Sequence, residues 1–317
     1  MVVLVGRRLA TLLLSLFVSS LLVFGFLQVL PGDPARVALG VNASEEAVTR
    51  LRADFGLDAP LATRYVEWLA GLVRFDLGES YISRALIAPQ IVDRLQVTLW
   101  LVVTAMVIAV VIALPTGTLM AVRHRQVSGL ALSALSQLGV AIPAFLAGLL
   151  LIMVFAVRLG WLPANGWTPP VVDPVMFVRQ LTLPALSLGL VQGAVLTRYV
   201  RSAVLDVMRE DYVRTARAKG LPPLTALWRH GLRNAAIPVV TVLALQLATL
   251  LIGAVVVERV FVVPGLGSLL LDSVANRDLI VVQDVVMVLV LAVLVVNMAV
   301  DVIYTLIDPR LKTGAGR

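Results

Sequence analysis

The sequence predicts an all-α, polytopic membrane protein with six transmembrane helices. Of its 317 residues, 60% are hydrophobic and only 14% are charged, whereas soluble domains contain about 25% charged residues. Six stretches approach or exceed the roughly 20 apolar residues with which a helix crosses a bilayer. Basic residues are concentrated in alternate connecting segments, a pattern that encodes membrane orientation. Because so few charged side chains cannot cover a water-facing surface, lipid is the expected solvent.

The predicted spans run in order from the N-terminus to the C-terminus. They are residues 9–32, 95–122, 127–157, 180–197, 234–257 and 285–307. The first follows Arg7 and Arg8 and could be a signal peptide, but its apolar run is too long and no small-x-small cleavage site follows it. We therefore expect a retained helix. The third stretch is longer than one span needs, and Pro143 is expected to kink it.

The distribution of positive charge predicts the orientation. Among the shorter segments, basic residues are concentrated before the first span, after the second, in residues 198–233 and in the tail. The long segment 33–94 holds seven arginines, but long segments cross largely regardless of charge. Because segments rich in Arg and Lys stay cytoplasmic, both termini are predicted to be inside and residues 33–94 outside. Residues 1–32 then comprise the N-terminus and first span, 33–94 an extracytoplasmic insertion, and 95–317 a core domain with five spans.

The insertion is predicted to be a small helical subdomain. Ser44 precedes two glutamates, which is typical of a helix cap and an acidic first turn, so a helix is expected over residues 43–55. Residues 64–75 carry apolar side chains at helical spacing, which predicts a second helix.

The composition excludes several kinds of chemistry. The chain has no cysteine, which rules out disulfides and thiolate metal sites, and only two histidines, His124 and His230. Its two lysines, Lys219 and Lys312, lie outside any G-x-x-x-x-G-K-[ST] phosphate loop, so the chain cannot bind ATP by that route. The net charge is +7, and the basic residues that produce it lie between the apolar runs. This distribution is typical of residues that set membrane orientation rather than of a nucleic-acid-binding surface.

The segment between spans four and five, residues 201–233, carries the most information. One helical face is expected to hold Leu205, Met208, Tyr212 and Ala216. Glu210 precedes Arg214 by four residues, the favourable order for a helical ion pair.

A glycine and two prolines divide this segment. Gly220 is predicted to end the first helix with a positive φ, and Pro222 and Pro223 just beyond it reinforce the stop. A second short helix is expected from about residue 224 to residue 233. Such a pair of amphipathic helices could lie on the lipid surface, attracted by acidic headgroups, or could contact a partner.

Sequence motifs favour a partner. Asp211–Gly220 (DYVRTARAKG) and Arg233–Pro238 (RNAAIP) resemble the cytoplasmic coupling loop, or EAA motif, of binding-protein-dependent ABC importer permeases. The form is most similar to that of the B-type subunit of dipeptide and oligopeptide permeases. Further motifs of that family are matched in the same order by residues 30–35 (LPGDPA), 55–58 (FGLD), 76–81 (DLGESY), 158–163 (RLGWLP), 263–267 (VPGLG) and 307–310 (IDPR).

One difference from the general importer motif points to the peptide subgroup. The Glu-Ala-Ala core of the general motif falls on Arg214–Ala216, so the acidic residue is missing, as in the peptide subgroup. The resemblance implies the type I ABC importer permease fold, with separate ATPase subunits docked on the loop. The residues it assigns to coupling are Tyr212, Arg214, Thr215, Ala216, Arg217 and Gly220. Tyr212, Ala216 and Gly220 are expected to form the packing core, and Arg214 and Arg217 the polar contacts.

The resemblance also implies the partners and the location. A second, C-type permease subunit would complete a heterodimer in the bacterial inner membrane. Two ATPase subunits would carry ATP and magnesium, and an extracytoplasmic binding protein would deliver the substrate. This chain is expected to bind membrane lipid but no metal, cofactor or nucleic acid. Relatives with this pattern are associated with dipeptides, longer peptides, nickel chelates or haem, and the sequence does not choose among them.

Uncharged polar residues in the spans either line the translocation path or bond neighbouring helices. They are Gln137, Gln192, Gln246, Thr249 and Asn297. Gly189-x-x-x-Gly193 is expected to mark a close contact between helices.

The alternative function is an ion-coupled secondary transporter. Such a protein would place acids or histidines at mid-membrane, but Asp301 is the only charge within a predicted span and lies near its cytoplasmic end. An intramembrane enzyme is disfavoured because no His-Glu-x-x-His pattern, cysteine or paired intramembrane carboxylates occur.

Overall fold

The computed structural model describes residues 2–29, 32–40 and 42–307, with side chains described from residue 6 to residue 299. Those residues form an all-α fold, as predicted, with one isolated antiparallel bridge between Glu79 and Leu86. The helices are α1 Val2–Val29, α2 Pro34–Leu39, α3 Glu45–Asp54, α4 Leu61–Arg74, α5 Ile87–Val122, α6 Val127–Ala141, α7 Ala144–Leu151, α8 Pro174–Arg209, α9 Asp211–Ala218, α10 Pro223–Ala226, α11 Leu232–Val260, α12 Leu266–Ala275 and α13 Leu279–Ile307.

The helices account for the six predicted spans. Within the described residues, five continuous helical segments are long and apolar enough to cross a membrane: Gly6–Val29, Ile87–Val122, Pro174–Arg209, Pro223–Val260 and Leu279–Ala299. The sixth is the bent pair of α6 with α7, if the two are counted as one span. Asp301 lies in α13, but its side chain is outside the described residues, as is the tail motif beyond Ile307.

The third stretch is broken at Pro143. We expected a kinked helix, but α6 ends at Ala141, Ile142 and Pro143 are extended, and α7 begins at Ala144. The two helices differ in direction by 99°. Proline disfavours a helical conformation at the residue before it and lacks the N–H that a continuous helix would use. After α7 the chain continues as a π-helix, Ile152–Arg158.

The chain divides into two compact units. The first comprises Met1–Thr98 and Pro264–Val295, and the second comprises Leu99–Val263 and Val296–Arg317. The first unit therefore contains α1, α2, α3, α4 and α12, with the N-terminal parts of α5 and α13. The domain boundaries at residues 32 and 94 concern topology and remain a prediction.

Local caps build the helices of the insertion. The Ser44 hydroxyl accepts a hydrogen bond from the Ala47 amide and caps α3, as predicted. Asp33 Oδ1 accepts from the Ala35 amide and caps α2. Arg52 donates to Asp58 Oδ1 at 2.8 Å and to Asp33 Oδ2 at 3.1 Å, and its hydrogen bond to Asp58 raises the pKa of Arg52. Arg52 thus joins Asp33, in the motif of residues 30–35, to Asp58, in the motif of residues 55–58.

Two buried acidic side chains at the start of α13 hold the insertion in place. Asp278 accepts hydrogen bonds from the Ser80 hydroxyl and, at 3.1 Å, from the Tyr81 amide. Asp284, which is 0% exposed, accepts from Trp68 Nε1 at 2.8 Å. Burying an acid is costly unless it is hydrogen-bonded, so both contacts fix the register of the insertion. About 200 residues separate the partners in sequence, and no local pattern predicts their pairing.

Small residues let helices approach closely in the second unit. A Cβ added at Gly189 would lie 2.7 Å from Ile108 Cγ2 and 2.9 Å from the Ala105 carbonyl oxygen, both on α5. One added at Gly193 would lie 3.4 Å from Ala109. These contacts confirm that the Gly189-x-x-x-Gly193 pattern marks a helix–helix interface. α8 also packs against α6, α7 and α11.

We expect Gly189→Ala to destabilise the protein, because its methyl group has no room between α8 and α5. Overpacking of this kind costs about 1–3 kcal/mol, measured as a lower midpoint of thermal unfolding in detergent. Gly25→Ala is the matched control, since a Cβ at Gly25 meets nothing within 4 Å. Equal unfolding midpoints for the two variants would contradict the close contact.

Candidate functional site: the helical loop between α8 and α11

The loop begins with a break rather than with a new helix after span four. α8 continues from the predicted span to Arg209, and the chain bends at Glu210, where φ is −65° and ψ is 143°. α9 then covers Asp211–Ala218. The prediction of one helix from Leu205 to Ala216 is therefore wrong: Leu205 belongs to the end of the spanning helix, and Ala216 to a separate short helix.

The predicted ion pair between Glu210 and Arg214 does not form. Glu210 occupies the N-cap position of α9, and its backbone carbonyl oxygen accepts from the amides of Val213 and Arg214. Its side chain therefore lies outside the helical repeat that would bring it to Arg214. Arg214 instead lies 3.5 Å from Asp211, in an exposed ion pair, and exposed pairs contribute little to stability.

Gly220 forms the predicted elbow. Its φ is +92°, which confirms the expected positive value. The Gly220 amide donates to the Arg217 carbonyl oxygen at 2.9 Å, and the Leu221 amide donates to the Ala216 carbonyl oxygen at 3.3 Å. This pair of bonds is the Schellman motif, which ends helices at a left-handed residue. Pro222 and Pro223 then begin α10, so the turn is fixed from both sides.

The packing core of the loop differs from the predicted one. Of Tyr212, Ala216 and Gly220, only Ala216 is buried, whereas Tyr212 is 38% exposed. Val213, at 0% exposure, takes the central position expected of Tyr212. The reason is the bend at Glu210, which changes the helical phase of α9 relative to α8. Tyr212 serves instead as an acceptor, because Asn234 Nδ2 donates to its hydroxyl at 2.7 Å and so joins α9 to α11.

Gly231, which no sequence pattern singles out, completes this core. After α10 the chain forms a π-helix, Leu227–Gly231, which leads into α11. A Cβ at Gly231 would lie 2.6 Å from Val207 Cγ1 and 3.0 Å from Leu227 Cδ1. α8, α9 and the π-helix therefore meet where only a glycine fits. Gly231 stands among basic and polar neighbours, and nothing in that local sequence indicates the close contact.

The apolar core of the loop is continuous with that of the spanning helices. One cluster of buried residues extends through α5, α8, α9, α10, the π-helix and α11. Its members are Ala113, Ala121, Leu196, Val200, Ala203, Val204, Val207, Val213, Ala216, Ala226, Leu227, Ala235 and Val239. Because packed interiors transmit displacement, a force on α9 would reach α8 and α11.

The opposite side of the loop is open and basic. A groove of about 500 Å³ is lined by Arg214, Arg217, Ala218, Gly220, Leu221, Pro222 and Pro223. Both arginines are exposed, as is Thr215, whose hydroxyl donates to the Asp211 carbonyl oxygen at 2.8 Å. The groove offers guanidinium donors to carboxylates on a partner surface.

Three of the five residues predicted for the translocation path lie together between α8 and α11. Gln192 Nε2 donates to Thr249 Oγ1 at 3.1 Å, and Gln246 Nε2 donates to the Gln192 carbonyl oxygen at 3.3 Å. Gln137 lines a separate small cavity of about 60 Å³ with Arg198 and Arg201, on α6 and α8. Asn297 is exposed on α13. A path role for these residues remains a prediction.

Two family descriptions match the chain. "Binding-protein-dependent transport system inner membrane component" covers residues 113–313, and its N-terminal companion covers residues 1–102. The glutathione transport system permease protein GsiC of Escherichia coli strain K12 is 42% identical over 310 residues, covering 96% of this chain and 97% of the relative. GsiC of Shigella flexneri serotype 5b has the same identity and coverage.

Solved structures share the fold at lower identity. An inward-facing MetNI methionine ABC transporter aligns with a TM-score of 0.60 at 20% identity, covering 69% of this chain and 96% of the matched one. An amino acid ABC transporter aligns at 0.51 and 16% identity, covering 68% and 94%. These matches give no support to an ion-coupled secondary transporter. With family matches over nearly its whole length, the chain belongs to the inner-membrane permease components of binding-protein-dependent ABC transport systems.

Proposed function

We propose that the chain forms half of the translocation pathway of a peptide importer, and that residues 201–233 couple it to ATPase subunits. As a permease of this family, the chain is a multi-pass inner-membrane protein that works with a binding protein and with ATPases on other chains. The observation that carries the coupling proposal is the buried cluster joining Val213 and Ala216 of α9 to the cores of α8 and α11.

The loop is suited to convert movement of a docked subunit into movement of the spans. Its two turns are fixed, at Glu210 by backbone bonding and at Gly220 by the Schellman motif. Its basic groove is open to a partner. Closure of an ATPase dimer on this groove would pull α8 and α11 together as one packed body, shifting the path between inward-open and outward-open states.

We propose a short peptide as the substrate. The relatives at 42% identity are described as glutathione transport permeases, and glutathione is a tripeptide-like, charged molecule. Gln192, Gln246 and Thr249 would offer uncharged hydrogen-bonding groups to a peptide backbone. The other half of the path would come from a C-type permease subunit in a heterodimer. Glutathione and dipeptides are accordingly the first substrates to test.

The first prediction from the proposed function concerns topology, with both termini inside and residues 33–94 outside. In intact spheroplasts, a membrane-impermeant maleimide should label the Ala62→Cys variant but label Gln126→Cys only after permeabilisation. The wild-type chain has no cysteine, so labelling reports one site, and both positions are exposed. Labelling in the reverse order would overturn the orientation.

The second prediction concerns the energy source. The isolated chain should release no phosphate from ATP, because it has no phosphate loop and its two lysines lie outside such a context. Phosphate release is measured before and after adding the ATPase subunits. Hydrolysis in proportion to the amount of isolated chain, with ATPases shown to be absent, would contradict the proposal.

The third prediction concerns the elbow. Gly220→Val should reduce transport at least about tenfold, a coupling loss of about 1.4 kcal/mol, because a β-branched residue resists the positive φ of 92°. Nothing lies within 4 Å of a Cβ at this position, so the effect would come from the backbone. Uptake of labelled peptide into proteoliposomes measures it.

Two variants serve as controls for the elbow. Gly220→Asn should retain most transport, since asparagine tolerates the left-handed conformation. Pro222→Ala should reduce transport less than Gly220→Val does, because Gly220 already ends α9. If Gly220→Val transports like wild type with the ATPases still coupled, the loop is a passive surface feature.

A further inference from the structure

Another cavity, lined by residues far in sequence from residues 201–233, lies within the first unit. Its volume is about 290 Å³, near the lower end of the range for small-molecule sites. It is formed by the end of α1, the insertion and the start of α13. The lining residues that matter here are Arg64, Glu67, Trp68, Asp76, Tyr81 and Gln283. No role proposed above uses this cavity.

The cavity presents charges of both signs that do not neutralise each other. Arg64 and Glu67 lie three residues apart on α4 but form no ion pair within the part of the chain that the structure describes. Arg64 donates a hydrogen bond to Gln28 at 3.2 Å, which orients the guanidinium. Asp76 Oδ1 accepts a hydrogen bond from the Gly78 amide at 3.2 Å. A cationic site and two anionic groups thus face one volume.

A buried amide without a partner also lines the cavity. Gln283 is 7% exposed, and its Nε2 has no hydrogen-bond partner among the described residues. Leaving a buried donor unsatisfied costs about 1–3 kcal/mol, so a bound group that accepts a hydrogen bond from Nε2 would be stabilised here. An acceptor such as a carbonyl or carboxylate oxygen of a ligand would do so.

Aromatic rings give the cavity rigid walls. Trp68 is held by its hydrogen bond to Asp284 and stacks on Phe24, with ring centroids 6.0 Å apart. Phe55 and Tyr81 stack at 4.4 Å. Burial raises the pKa of the Tyr81 phenol, which the nearby Arg64 partly opposes, so Tyr81 stays a neutral hydrogen-bond donor. Four of the thirteen lining residues are aromatic, and aromatic side chains combined with convergent polar groups are typical of ligand sites.

We propose that this cavity binds a short zwitterionic peptide, with its carboxylate at Arg64 and its ammonium group between Glu67 and Asp76. The peptide backbone would accept from Gln283 Nε2. The inference rests on the proposed peptide-importer function and on the outward placement of residues 33–94. It adds a contact of the permease itself with the substrate, independent of the binding protein and of the path between α8 and α11.

The test measures binding of alanyl-alanine to the permease–ATPase complex in phosphatidylglycerol nanodiscs, by calorimetry, without binding protein or ATP. N-acetylation or C-amidation of the dipeptide removes one charge and should weaken binding about tenfold or more, because a hydrogen bond to a charged group contributes about 1.5–3 kcal/mol. Arg64→Gln should make alanyl-alanine and its amide bind equally. Glu67→Gln combined with Asp76→Asn should do the same for alanyl-alanine and its N-acetyl form.

Exposed charges elsewhere on the insertion provide the matched controls. Arg50→Gln and Glu46→Gln lie on α3 away from the cavity lining and should leave binding unchanged. No saturable binding up to about 10 mM, or equal effects of control and cavity variants, would overturn the inference. Binding that disappears in phosphatidylethanolamine nanodiscs would assign the cavity to that zwitterionic lipid and also overturn it.

Uptake assays keep this inference separate from the proposed function. If proteoliposomes with binding protein transport peptide while the complex alone fails to bind it, only the cavity assignment falls. If no peptide is transported under any condition, the proposed function falls as well.

Discussion

The packing of α8 against α11 is the contact on which the functional part of the second unit depends. α8 is a single 36-residue helix that also meets α5, α6, α7 and α9. The buried cluster on its apolar face contains both Leu196 of the spanning part of α8 and Val213 of the loop helix α9. Because the hydrophobic effect does not drive helices together within lipid, spanning helices associate through close packing of small residues, as Gly189 and Gly193 of α8 do against α5. The loop is therefore an extension of the helix bundle rather than an appendage.

Local signals predicted the local features well. The spans followed from hydropathy, the α3 cap from Ser44, and the left-handed elbow from Gly220 and the prolines after it. Each depends on neighbours within a few residues, which is the range over which capping and turn rules act. At Pro143 the sequence predicts a kink, whereas the structure has a break of 99°, and α7 packs against α8 and α11, contacts distant in sequence that no local rule specifies.

The misassigned residues share a different cause. An unbroken helix from Leu205 would put Tyr212 in the core, but the bend at Glu210 shifts that face to Val213. Glu210 itself carries no residue-type signal for a bend. Gly231, Trp68 and Asp284 matter through partners distant in sequence, and one sequence contains no measure of such proximity. The motifs of residues 30–35 and 55–58 gave the family, but their structural use, with Arg52 joining Asp33 and Asp58, became visible only in three dimensions.

The first unit is built from two segments that are distant in sequence, and this has a consequence for biosynthesis. Its two segments, Met1–Thr98 and Pro264–Val295, emerge from the ribosome far apart in time. Until the later segment is made, Trp68 and Ser80 lack the carboxylates of Asp284 and Asp278 that they bond in the finished protein. The first helices to be inserted are thus among the last to be completed, and a nascent chain stalled before residue 278 would display an unanchored insertion to quality-control proteases.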